Sequence, residues 1–280
     1  MLFTVRSWFL CHQAQVKTWL LATLLGLSWF PLSYTSLFLG RWLAALFFHY
    51  RSAAGQPVDN LFLLCAYLTM IVLGVALYLG LVPALLGIRL DDYKAFLRSI
   101  GLIGISRFGL VSISVALVVV SILVALHVLP LFYVTQSIGP YHWRANYNWI
   151  WWVTNLQPPL VEETLFRGLI IVVLLKRFPP WFAVLWSAVL FGLPHLSFGF
   201  QTALSDAFVA GVGWAIIKLK TRSIWPGAVI HYGMNSGFYL PALVGMLIIL
   251  LAVLVLLAKQ WLVRLESFFD RHRKKTSLNT

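Results

Sequence analysis

The chain has 280 residues, of which 61% are hydrophobic and only 10% charged, and its mean hydropathy is +0.88. A soluble domain carries about 25% charged residues because it must face water. A water-soluble globule, a disordered chain and a fibrous protein are therefore excluded, leaving a polytopic all-α membrane protein. The formal net charge of +13 does not indicate nucleic-acid binding. Its Lys and Arg residues stand in short groups between apolar runs and at the C-terminus, in Arg271, Arg273, Lys274 and Lys275. That is the pattern of basic residues retained on the cytoplasmic side of a membrane. Cys11 and Cys65 form neither a disulfide framework nor a metal knuckle.

A helix needs roughly 20 apolar residues to cross a hydrocarbon core about 30 Å thick. In chain order the apolar runs predict spans near 18–39, 61–87, 108–135, 149–175, 181–198, 203–217, 224–240 and 242–258. The first is too long and too aromatic for a signal peptide and is expected to remain as a transmembrane helix. Pro179 and Pro180 separate the fourth span from the fifth, and Pro241 divides the last apolar run into two arms. The expected architecture is one membrane domain over 1–280, of about eight helices around a central polar cavity, with the helices that carry the sequence motifs in 149–258.

The basic residues orient this arrangement. With the N-terminus inside, the inner segments hold Arg6, Lys17, Arg89, Lys94, Arg98, Arg107, Lys176, Arg177, Lys218, Lys220, Arg222 and the C-terminal group. The outer loops hold Arg41, Arg51 and Arg144, and Arg167 falls within a span. Both termini are expected to be cytoplasmic. The Trp- and Tyr-rich segment 141–152 suits the outer interface.

A membrane protein shows its chemistry in the polar groups it keeps where they are costly. A carboxylate or Arg at the bilayer centre costs about 2.5–3.5 kcal/mol on insertion scales. Of the chain's eight acidic residues, Glu162 and Glu163 stand together inside the fourth span, with Arg167 following. Glu163 and Arg167, at i and i+4, share a helix face and can pair. Glu162 points about 100° away and is free to face a cavity. The alternative, a single buried ionic knot that only fixes packing, has one carboxylate in excess of the available Arg. His195 lies in the fifth span, and His231 and Asn235, again i and i+4, lie in the seventh.

Depth brings these groups together. At 1.5 Å per residue, Glu162 lies about 21 Å from the Lys176 end of its helix, and His195 about 22 Å from Pro180. His231 and Asn235 lie roughly 13–20 Å from Arg222. All are measured from the same side, so three helices carry Glu, His and His/Asn into one layer, which reads as a polar site. His12, His49, His127, His142 and His272 have no carboxylate at suitable spacing, Asp206 is a single acid near an outer helix end, and Asp91 and Asp92 begin an inner segment. The chain contains no HExxH, GxSxG or P-loop pattern.

Glu-Glu-x-x-x-Arg at 162–167, Phe-x-x-x-His at 191–195 and His-x-x-x-Asn at 231–235 follow one another on successive membrane helices. In this order they resemble the type II CAAX prenyl endopeptidases, the Abi or CPBP group of intramembrane proteases. The resemblance covers Glu162 to Asn235, and the first 140 residues match only as generic membrane helices. It implies an eight-helix fold and peptide-bond hydrolysis within the membrane. Glu162 would be the general base, acting on a water that His195 helps to hold, while His231 and Asn235 would stabilise the oxyanion. Glu163, Arg167 and Phe191 would be structural or substrate-positioning.

A metal site is the competing mechanism, with Glu162, His195 and His231 supplying a His/His/carboxylate set of the kind found at catalytic zinc. A metal-free site is favoured, since Asn235 is an unusual zinc ligand and no HExxH places a base beside the ligands. A second class of function is non-catalytic, a membrane peptide-binding or bacteriocin-immunity protein. A proton or ion relay would want further acids leading to both faces, which the chain hardly supplies. The expected partners are membrane lipids and a peptide or membrane-protein substrate, with no nucleic acid. The expected location is a bacterial plasma membrane.

Overall fold

The computed structural model describes residues 2–48, 60–125, 155–235, 244–261 and 263. The described chain is all-helical. Helix α1 (Leu2–Leu27) is followed after Ser28 by α2 (Trp29–Phe48). Helix α3 starts at Asn60–Val75, continues through a π-helical stretch (Ala76–Leu81) and ends in Val82–Leu85. A short α4 (Tyr93–Ser99) precedes α5 (Arg107–Ala125). Helix α6 is composite: α-helical over Gln157–Glu162, π-helical over Glu163–Ile170 and α-helical again over Ile171–Leu175. Then come α7 (Pro180–His195), α8 (π-helical Thr202–Val209, then Ala210–Thr221), α9 (Trp225–Asn235) and α10 (Val244–Trp261).

Among the described residues, five helices are long and apolar enough to cross a membrane: Gln13–Leu46, Leu64–Leu85, Pro180–Phe198, Thr202–Thr221 and Val244–Trp261. This is the footprint of an integral membrane protein. Three of the other expected spans run beyond the described residues, at 126–135, 149–154 and 236–240. The first span is longer than hydropathy alone suggested. Its 34 residues would reach about 51 Å as a helix, well beyond a 30 Å core, so it must tilt or project. At its interruption the Ser28 hydroxyl bonds the Leu25 carbonyl at 2.6 Å and lies 3.1 Å from the Tyr78 hydroxyl of α3.

Helix α6 is the axis of the structure. Pro158 and Pro159 open it, where the lost backbone donors would be unpaired anyway. From Val161 to Leu174 nearly every side chain is buried, with only Val172 partly exposed. It packs against α1, α3, α7, α8 and α9. At the α-to-π junction the Thr164 hydroxyl donates to the Leu160 carbonyl at 2.6 Å. Two residues further on, Ser187 of α7 donates to the Phe166 carbonyl at 2.7 Å and ties the two helices.

The turn between α8 and α9 is fastened by hydrogen bonds to backbone carbonyls. Arg222 adopts a left-handed conformation (φ 57°) that ends α8, with its N–H on the Lys218 carbonyl at 2.8 Å. The next turn is stitched to the segment before α5, since Ile224 N–H donates to the Gly101 carbonyl at 3.2 Å and Ser106 Oγ to the Thr221 carbonyl at 2.7 Å. This pins the start of α9, and with it the position of His231 two turns later.

Candidate active site

The structure brings Glu162, Glu163, Arg167 and His231 into one buried cluster between α6 and α9. Glu163 and Arg167 are fully buried, and their side chains pair at 3.3 Å between Oε1 and Nη1. The i,i+4 pairing expected from the sequence thus exists, although the backbone between the two residues is π-helical. His231, 3% exposed, reaches both carboxylates: Nδ1 lies 3.0 Å from Glu163 Oε1 and Nε2 lies 3.5 Å from Glu162 Oε2. Glu162 is the most open of the four, with a tenth of its side chain accessible. The excess carboxylate therefore faces an imidazole, not a second cation.

Aromatic side chains build the walls. The Arg167 guanidinium sits over the Phe191 ring at 4.0 Å and the Trp214 ring at 4.9 Å. These are cation–π distances, and a desolvated pair of this kind contributes up to about 2 kcal/mol. Trp214 also stacks on His231, with centroids 4.3 Å apart and planes 21° apart, while Phe191 meets that imidazole edge-on at 5.8 Å. Beyond Phe191 the contacts continue to Phe166 (5.3 Å) and from there to Trp29 (6.2 Å).

Two glycines make the room. A Cβ at Gly211 would lie 3.0 Å from Arg167 Nη2 and 3.3 Å from Phe191 Cδ1. A Cβ at Gly227 would lie 3.2 Å from Glu163 Oε2. Small residues allow this close approach of helices and polar side chains in a membrane protein.

His195 and Asn235 are placed differently. His195 is half-buried at the C-terminal end of α7, just after Pro194, with Nδ1 2.9 Å from the Phe191 carbonyl. The Phe191 ring touches it at 4.8 Å, so this one ring contacts both His195 and His231. Among the described residues, no hydrogen bond or ion pair joins His195 to Glu162. Asn235 lies one turn beyond His231 on α9, half-buried, at the last described residue of that helix. Asp206 lies in the π-helical start of α8.

Sequence reasoning missed Trp214, Gly211 and Gly227. The small residues at 211, 213 and 227 within apolar helices were the available signal, whereas Trp214 stood among thirteen tryptophans. Tyr67 of α3, within electrostatic reach of Glu162, was also missed, and nothing in its apolar run marks it.

The zinc alternative calls for Glu162, His195 and His231 as ligands. Among the described residues no three His, Cys, Asp or Glu side chains are grouped so as to hold a metal ion. Glu162 and His231 face each other, and His195 Nδ1 lies on the Phe191 carbonyl, which leaves its Nε2 as the free nitrogen.

Fold and site together define an all-helical integral membrane protein with a buried Glu/Glu/Arg/His cluster. Residues 144–237 match the family described as type II CAAX prenyl endopeptidase, Rce1-like. The resemblance read from the motifs is thus shown for this segment, which contains every residue of the cluster, and the family is one of proteases. No curated protein and no solved structure matches the chain.

Proposed function

We propose that this protein is an intramembrane endopeptidase that hydrolyses peptide bonds of a membrane-associated substrate by means of a water activated by Glu162. One observation carries the reading: Glu162, the most accessible member of the buried cluster, opposes His231 at 3.5 Å within a segment that matches a protease family. In the proposed sequence Glu162 takes a proton from the water while the oxygen attacks the scissile carbonyl carbon. His195 helps to hold that water. Asn235 and His231 donate to the oxyanion that forms, His231 from Nε2 as an imidazolium that carries a hydrogen on each ring nitrogen, and prepositioned donors of this kind are worth a few kcal/mol. The proton on Glu162 then passes to the amide nitrogen as the C–N bond breaks, which releases an amine and a carboxylic acid and restores Glu162.

The central cavity, the metal-free mechanism, the cytoplasmic termini and a bacterial plasma membrane belong to the same proposal. The test is cleavage of prenylated and unprenylated membrane peptides by the purified protein and by Glu162→Gln, with and without a chelator. Loss of turnover in Glu162→Gln with folding intact, and no effect of the chelator, is the expected result. Full activity in Glu162→Gln would reject the mechanism and favour the peptide-binding or immunity reading. Activity lost to the chelator and restored by zinc would overturn the metal-free part.

A further inference from the structure

We infer that Glu163 is a positioning residue that works through His231: its carboxylate holds the Nδ1 hydrogen of the imidazole, so that Nε2 is the nitrogen presented to Glu162 and the reacting peptide. The contacts carry this directly. Glu163 Oε1 lies 3.0 Å from His231 Nδ1 and 3.3 Å from Arg167 Nη1, so one oxygen serves both neighbours. An ionised carboxylate only accepts hydrogen bonds, so the nitrogen facing it must bear the hydrogen. For Nε2 to donate to the oxyanion it must bear a hydrogen as well, so the ring works as an imidazolium whose Nδ1–H is held by Glu163 and whose Nε2–H is thereby aimed.

The surroundings leave Glu163 no other arrangement. It is wholly buried, its Oε2 is bounded by Gly227, and its counter-ion is fixed over Phe191 and Trp214. Trp214 covers one face of the imidazole and the Phe191 edge limits its swing. The plane of the ring and the direction of Nε2 are therefore set separately, by aromatic contact and by the carboxylate. A pair that served only packing would need Arg167 and Glu163 and nothing more. It would not require Nδ1 at hydrogen-bond distance from the same oxygen.

The experiment has a spectroscopic arm and a kinetic arm, and only the kinetic arm rests on the protease reading. Protein carrying 15N-histidine is compared with the same protein bearing His231→Gln, which assigns the His231 signals. Wild type is expected to show a hydrogen bonded to Nδ1. Two double variants remove the buried charges together, since replacing both members of a buried pair is often neutral for stability. Glu163→Gln/Arg167→Met keeps an acceptor for Nδ1 and should keep the Nδ1–H signature. Glu163→Met/Arg167→Met removes the acceptor. It should lose the Nδ1–H signature and lower kcat between about 10²- and 10⁴-fold at unchanged KM. A wild-type spectrum without hydrogen on Nδ1 overturns the inference, and so does a Glu163→Met/Arg167→Met protein that keeps both signature and kcat. If the double variants do not fold, the wild-type spectrum decides. Wild type with the expected spectrum but no peptidase activity would sink the protease reading and leave the role of Glu163 standing.

Discussion

Replacing Arg167 by Ala should unfold the protein more readily before it says anything about catalysis. The guanidinium is fully buried, its ion partner is Glu163 at 3.3 Å, and it lies over Phe191 at 4.0 Å. Removing it leaves a buried carboxylate whose remaining partner is the imidazole of His231. Breaking a buried pair from one side costs about 3–5 kcal/mol, and loss of the cation over Phe191 adds roughly 1–2 kcal/mol. The loss is large against the few kcal/mol that most substitutions cost. Arg167→Lys is the informative control, because it keeps the charge but not the flat group that lies between the rings. It should fall between wild type and Arg167→Ala. The assay is thermal unfolding of the purified proteins in one detergent, followed by loss of the monodisperse species. An Arg167→Ala protein that is inactive yet as thermostable as wild type would refute the reasoning.

The other predictions concern the walls, the outer donors and the topology. Gly211→Val should destabilise by about 1–3 kcal/mol through overpacking against Arg167 and Phe191, read in the same unfolding assay; unchanged stability would mean the cradle is loose. Asn235→Ala should lower turnover about 10²–10³-fold with folding preserved, the scale of a lost oxyanion donor; unaltered kcat removes Asn235 from the mechanism. Combining it with Glu162→Gln should cost far less than the product of the single losses, because residues acting as a unit fail together. Reporter fusions after Lys275 and near Arg144 should fall on opposite sides of the membrane, and a shared side would defeat the eight-helix topology.

What could be read in advance divides along physical lines. The all-helical membrane class followed from hydropathy, and the Glu163–Arg167 pair from helical spacing. That His231 would reach both glutamates was not legible, because spacing along one helix does not say which side chains of another helix it meets. The π-helical stretch of α6 was equally hidden. One residue more per turn leaves no trace in a segment that is buried on nearly every side, since there is no polar face whose period could betray it. The first span was underestimated because Lys17 and Arg41 bound the apolar run without ending the helices that carry them. Helix lengths place Glu162, His195 and His231 in one layer. Depth fixes only one coordinate, however, and the direction of His195 depends on the helix end that Pro194 and Gly199 shape.

The π-helical stretch between Glu163 and Ile170 also makes the site sensitive to a kind of change that composition would not register. Excising one residue there, for example Leu165, would let the helix close as an ordinary α-helix with all its hydrogen bonds made and its apolar character intact. The tighter winding takes up most of the turn lost with the residue, and Glu163 and Arg167 become i and i+3, which still share a helix face. The same excision in the α-helical Ile171–Leu175 has no such slack and would turn everything before it by about 100° relative to everything after it. The π-helical stretch is thus sensitive in the spacing of its charges, whereas the last turns of the helix are sensitive in the direction the whole cluster faces.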